Sequence, residues 1–177
     1  MEFLIGGLGF VLFFLYDWNR VFWKKQWMKG FFLAGCLCQA AASGGILRAA
    51  WLDRRAGWTL YLLFTAVFLV LLIYTLFFAL PFDSTYCQEA DGHKVCRSGM
   101  YGWCRHPGIW WFFGCFACMG LACADVDKLF CGLGLSFFNL LYAWYQDKWI
   151  FPQEFSDYED YRNEAPFLIP WRKRKRR

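Results

Sequence analysis

Residues 93–107, HKVCRSGMYGWCRHP, combine two histidines, two arginines, two glycines and a tyrosine in one short polar stretch. It is lodged between two of the most apolar segments of the chain. Gly99 and Gly102 bracket Tyr101, which permits tight backbone geometry beside a bulky amphipathic ring. Arg105, His106 and Pro107 stand immediately before the next apolar run. Proline suits the first turn of a helix, where its missing N–H costs nothing, so His106 is expected near the helix cap. The free N–H groups and positive dipole end of that helix favour an anion such as a carboxylate. The alternative is that Arg105 and His106 anchor the helix at lipid headgroups, and local physics leaves both readings open.

The elements that must position this loop follow from composition. Hydrophobic residues form 59% of the chain and aromatics 23%, above the roughly 45–50% apolar content of soluble domains. An all-α, polytopic membrane bundle is expected, with its chemistry built from the helices and their loops. The 177 residues suit one integral membrane domain, divided into membrane helices over 1–92, a core over 93–170 and a basic tail over 171–177. A span needs about 20 mostly apolar residues, and five segments are predicted: 3–16, 30–51, 58–82, 108–124 and 129–149. The first is the shortest. Trp18 and Phe22 are expected to extend it at the interface. No secretory signal peptide is expected, because Glu2 stands where a basic start is usual and no small-residue cleavage site comes after the apolar run.

Lysine and arginine set the orientation. Arg20, Lys24, Lys25 and Lys29 follow the first segment; Lys94, Arg97 and Arg105 lie in the third loop; Lys148, Arg162 and the closing RKRKRR lie at the end. The positive-inside rule then predicts an outside N-terminus and a cytoplasmic tail, in a plasma (inner) or endoplasmic reticulum membrane. The polar loop and the C-terminal segment fall on one side, where they can form a single site. The formal charge of +5 does not imply nucleic-acid binding, since residues 172–177 are all basic and the balance without them is −1. Attraction to anionic membrane lipids accounts for such a cluster.

Nine cysteines raise metal and disulfide chemistry. Cys115 and Cys118 form a CxxC, but it lies in an apolar segment with no second pair to complete a zinc site. Cys36, Cys38, Cys123 and Cys131 are expected to pack as small hydrophobes. Cys87 and Cys96 flank the polar loop, yet a reducing compartment disfavours their bridging. Gly6, Gly7 and Gly9, and residues 40–45, are small residues of the kind that let membrane helices approach closely.

The spacing His93-x-Val95-x-x-x-Gly99-x-Tyr101-x-Trp103-x-Arg105-His106-Pro107 resembles the core motif of the isoprenylcysteine carboxyl methyltransferase and phospholipid methyltransferase superfamily. Tyr158-x-x-Tyr161, then Ala165-Pro166 and Ile169-Pro170, is similar to its closing elements. The resemblance covers residues 93–170. It implies an integral membrane enzyme that uses S-adenosylmethionine. By resemblance, His93, Lys94, Val95 and Cys96 line the adenosine end of that cofactor, Tyr101 packs beside it, and His106, Pro107, Gly108 and Ile109 receive its methionine portion. Asp147, with Gln146 beside it, would balance the ammonium or sulfonium charge.

The chain departs from the family pattern in three places. Gln146-Asp147 replaces a Glu-Glu pair, Ile109 replaces a tyrosine, and Tyr142-Ala143-Trp144 stands where an arginine holds a prenylcysteine carboxylate. A donor site is therefore expected, with an acceptor other than a prenylcysteine. Methyl transfer from a sulfonium needs alignment and exclusion of water more than covalent help. The predicted acceptor is a lipophilic amine, carboxylate, thiol or phenol, with Arg105, Asp147, Tyr145 and Glu154 as candidate groups at the reacting end. Two other readings fit parts of the sequence: an NADPH-dependent membrane sterol or steroid reductase, suggested by the RHP and Ile169-Pro170-Trp171, and a non-catalytic membrane relative.

Overall fold

The computed structural model describes residues 1–78, 94–95 and 97–169, and all its principal elements are helical. Helix α1 (Glu2–Trp18) continues as a π turn (Asn19–Trp23), and a 3-10 turn (Gln26–Gly30) leads into α2 (Phe31–Asp53). Helix α3 (Trp58–Ile73) also ends in a π turn (Tyr74–Phe78). After a 3-10 turn (Gly99–Gly102) come α4 (Gly108–Ala122) and α5 (Val126–Tyr145), the latter extended by a third π turn (Gln146–Ile150). Two short helices, α6 (Phe151–Glu154) and α7 (Tyr158–Glu164), complete the chain.

Four helical stretches are long and apolar enough to cross a membrane: Glu2–Trp23, Gln26–Asp53, Trp58–Leu76 and Val126–Glu154. The expected weak first segment is a full 22 residues because its π turn lengthens it. The short one is α4. It has only 15 residues, roughly 22 Å of helix, because Pro107 sets its start and Cys123 leaves the helical region at ψ 151°. Thus the fourth of the five expected spans falls below spanning length, and the described part of the third ends at Phe78.

The polar contacts sort the helix ends. At one end Glu2 pairs with Lys128 at 2.8 Å and Asp53 accepts from the Ala124 N–H at 3.3 Å. The other end gathers the polar loop, the three π turns, α6 and α7. Where α1 ends, Asn19 accepts from the Lys25 N–H and donates to the Lys25 carbonyl, clamping a reversal in which Lys24 takes a left-handed φ of 55°. Between the ends, Phe10, Ile46, Phe116, Met119 and Leu135 form the core. Cys115 and Cys123 belong to it, and Cys123 Sγ donates to the Ile46 and Met119 carbonyls. No three-residue His, Cys, Asp or Glu group able to hold a metal occurs among the described residues. Cys87 and Cys96 lie outside those residues.

Small residues set the α4–α5 distance. A Cβ on Gly132 would lie 2.6 Å from the Phe116 carbonyl oxygen, and backbone cannot yield cheaply. Gly132→Ala should therefore cost about 1–3 kcal/mol, read as a lower melting temperature in detergent. Gly44→Ala, with nothing within 4 Å of its Cβ, should not. Equal shifts for the two would mean that α4 and α5 do not approach so closely.

Candidate functional site

Arg105 lies just before α4, and its guanidinium reaches a carboxylate on the π turn that ends α5. Arg105 Nε donates to Asp147 Oδ1 at 2.7 Å and Nη2 donates to Oδ2 at 3.1 Å, a two-pronged pair. The side chains are only 10% and 6% exposed, so this is a buried ion pair. Arg105 Nη1 also donates to the carbonyls of Arg162 and Ala165, at 3.1 and 2.7 Å. Those are carbonyls at the end of α7, where the helix dipole attracts a cation. One arginine thus ties three separate pieces of chain together.

Asp147 is saturated in turn. Tyr158 Oη donates to Oδ1 at 2.7 Å, His106 Nε2 lies 3.2 Å from the same oxygen, and Arg162 Nε approaches Oδ2 at 3.7 Å. The His106 ring is buried, stacked on Phe151 and tilted against Phe167. Burial pushes its pKa below the ordinary histidine value, against the opposing pull of Asp147. The neutral ring, protonated at Nε2, can donate to the carboxylate. Burial and the hydrogen bond to Asp147 also push the Tyr158 phenol well above its usual range, so it stays a donor.

The backbone extends the same join. The N–H groups of Arg105 and His106 donate to the Pro166 and Phe167 carbonyls at 2.9 and 3.2 Å, and Trp110 Nε1 donates to the Leu168 carbonyl at 3.1 Å. Farther up the loop, the Val95 N–H and Arg97 Nη2 both reach the Asp157 carboxylate, at 2.8 and 2.7 Å. These two donors hold the Asp157 pKa below its usual value despite partial burial. Tyr161 Oη donates to the Tyr101 carbonyl, and Tyr101 Oη donates to the Thr75 carbonyl in the π turn after α3.

Of the residues expected at the site, Arg105, His106 and Asp147 meet directly. Pro107 and Ile109 are buried beside them and Gly108 is half-buried at the start of α4. Val95 and Tyr101 are half-buried under the C-terminal segment, while Lys94 is exposed. Gln146 faces away: its Nε2 donates to Asp17 Oδ2 at 2.8 Å. Asp17, which no sequence motif marks, is buried and also accepts from Tyr142 Oη at 2.6 Å and pairs with Arg20 at 3.3 Å. Arg20 holds Glu154 at 2.7 Å, and Tyr145 Oη donates to the Phe14 carbonyl. Glu154 and Tyr145 therefore sit with this second cluster. A carboxylate close to the end of an apolar run was its only sequence signal. His93 and Cys96 lie outside the described residues.

One polar atom stands apart. Trp111 Nε1, in the first turn of α4, is buried and has no hydrogen-bond partner among the described residues. Its ring stacks on Phe68 of α3. A buried donor left unmade is costly, so an acceptor brought by an occupant would be favoured there. No family model, no curated protein and no solved structure matches this chain.

Breaking the pair should be expensive, because it leaves a charge buried alone. Arg105→Gln should cost about 3–5 kcal/mol, with the Arg105→Gln/Asp147→Asn double variant losing less than the two single losses combined. Strict additivity in detergent melts would refute the coupling. The depressed His106 pKa fixes a second sign. Its contribution is complete above the ordinary histidine pKa of about 6.5 and is lost as pH falls below it. Asp157 acts at lower pH. Melting temperature should fall as pH drops below about 6.5, and His106→Asn should flatten that slope.

Proposed function

We propose that this chain is an integral membrane enzyme that transfers a methyl group from S-adenosylmethionine to a lipophilic acceptor at the cytoplasmic face of a plasma or endoplasmic reticulum membrane. The Arg105–Asp147 clasp carries the reading. It draws the loop with the family-like spacing and the C-terminal Tyr158-x-x-Tyr161 segment to one end of the bundle, as a site built from both would require.

The residues present fit the donor with one change of role. Both Asp147 oxygens are engaged by Arg105, and Oδ1 also by Tyr158 and His106. Asp147 is therefore a positioning residue that fixes the loop and the C-terminal segment, rather than a counter-charge touching the sulfonium. Lys94, Val95 and Tyr101 would hold the adenosyl portion, and Gly108 with the orphaned Trp111 Nε1–H would hold the amino-acid portion at the start of α4. When bound, the donor supplies an activated methyl on a positively charged leaving group. The chain's own residues align the acceptor, exclude water with the lid of Phe151, Phe155 and Phe167, and offer Trp111 as a donor to an oxygen. Lipid-borne amines, carboxylates and thiols all suit an acceptor reaching the site through the apolar flanks of the helices.

Adding S-adenosylmethionine to the purified protein should stabilise the folded state by about 2.7 kcal/mol at a hundredfold excess over Kd, read as a raised melting temperature. Trp111→Phe should weaken that effect while leaving the unliganded melt unchanged or higher. Methyl-labelled donor with a lipid extract should then place label in one lipid class. A shift with NADPH alone would replace this reading by a reductase, and no shift with either would leave a non-catalytic relative.

A further inference from the structure

An apolar groove of about 280 Å³ runs along the outer face of α1 where it meets α5, bordered by Leu4, Gly7, Leu8, Val11, Phe14 and Phe138. Its floor exists because Gly7 has no side chain. A Cβ there would lie 3.8 Å from the Phe138 ring, in ordinary contact, so larger residues would fill the groove without moving backbone. From Phe3 to Phe14 the groove follows roughly 16 Å of helix. Leu4, Leu8 and Val11 along it are exposed, so the groove opens outward from the bundle and can receive a hydrocarbon chain.

The same stripe continues at helical spacing to Trp18 and Phe22, whose rings lie 4.3 Å apart at the polar end of the bundle. Across from them, Phe14 packs edge-on against Tyr145 and Tyr145 against Trp149. The Lys148 ammonium sits 5.2 and 4.8 Å over the rings of Trp144 and Trp149, and it pairs with no carboxylate among the described residues. The carboxylates at this margin, Asp17 and Glu154, are already held by Arg20. Exposed Lys24 and Lys25 add to the charge at the same end. Tryptophan belongs at the headgroup level, and a lysine there attracts anionic headgroups.

We infer that this groove binds one anionic phospholipid, an acyl chain lying over Gly7 between α1 and α5 and the phosphate against Lys148. The site is independent of the methyl donor, since it lies on the α1 side of α5 and uses none of the clasp residues.

Native mass spectrometry of the purified protein in mild detergent tests it, with phosphatidylglycerol and phosphatidylcholine of identical acyl chains. Phosphatidylglycerol should be retained about fivefold better, and glycerol phosphate, which lacks the chain, should not displace it. Lys148→Gln should lower the preference between the two lipids severalfold, leaving the part due to Lys24, Lys25 and residues 172–177. The series Gly7→Ala, Gly7→Leu, Gly7→Phe should progressively reduce retention of both, with melting temperature reporting that each variant folds. Equal retention of the two lipids by the native chain, displacement by glycerol phosphate, or retention unmoved by either Lys148→Gln or Gly7→Phe would overturn the proposal.

Discussion

A guanidinium and a carboxylate removed from water must recover several kcal/mol of lost hydration each. Arg105 and Asp147 do so because all three guanidinium nitrogens and both carboxylate oxygens are engaged. Asp147 takes Arg105 on both oxygens and adds Tyr158 and His106, while Arg105 spends its remaining donors on two carbonyls at the end of α7. The C-terminal segment depends on this arrangement more than any other part of the chain. Helices of four and seven residues cannot persist by propensity alone. Their apolar contribution, Tyr158, Tyr161 and Ala165 against Val95, Phe151 and Phe155, is a satellite cluster rather than a core. Without the clasp, the segment keeps the backbone bonds to Pro166 and Phe167 and the Arg97 pairs with Asp157 and Glu164, which lie nearer the surface than the buried pair.

The two ends of the bundle are built on different terms. One end is closed by short loops, the Glu2 carboxylate held by Lys128 at 2.8 Å and by the Met1 ammonium at 3.4 Å, and an aspartate cap, with little polar density. At the other, three helices end in π turns, each inserting an extra residue into the last turn. The insertion rotates the side chains beyond it. After Tyr145 it turns Asp147 toward Arg105 while Gln146 remains directed at α1 and Asp17, so adjacent residues serve opposite sides of α5. Such turns recur where function demands a side chain out of helical register.

Much of this was legible from the residues. Apolar runs located the starts of the five long helices to within a few positions, and the loop between residues 93 and 107 was marked by its polarity against its surroundings. Placing the loop and the C-terminal segment on one side brought Arg105, His106 and Asp147 into one region, but the direct pairing of Arg105 with Asp147 was not foreseen, since Asp147 was expected to face a ligand. The rest turned on features that leave no period or composition. No residue pattern announces a π turn, so the division of labour between Gln146 and Asp147 was hidden, and so was the extension of α1. Asp17, which no motif marks, is a buried acceptor shared by Tyr142, Gln146 and Arg20. Length misled at α4, because 15 residues suffice for a helix that is packed on both flanks by α3 and α5 and need not match a bilayer by itself.

A saturated acid bears on the proposed chemistry in a definite way. Transfer from a sulfonium disperses charge as the methyl moves, so a full anion close to the leaving group would stabilise the ground state more than the transition state, and differential stabilisation is what accelerates a reaction. A carboxylate whose charge is already matched by Arg105 avoids that penalty and yields rigidity instead. In a two-segment site, rigidity has direct value: holding donor and acceptor in line is worth several kcal/mol of barrier, provided the walls do not drift. Under the proposed reading the duties of the two neighbours divide: Gln146 secures α1 and Asp147 secures the loop.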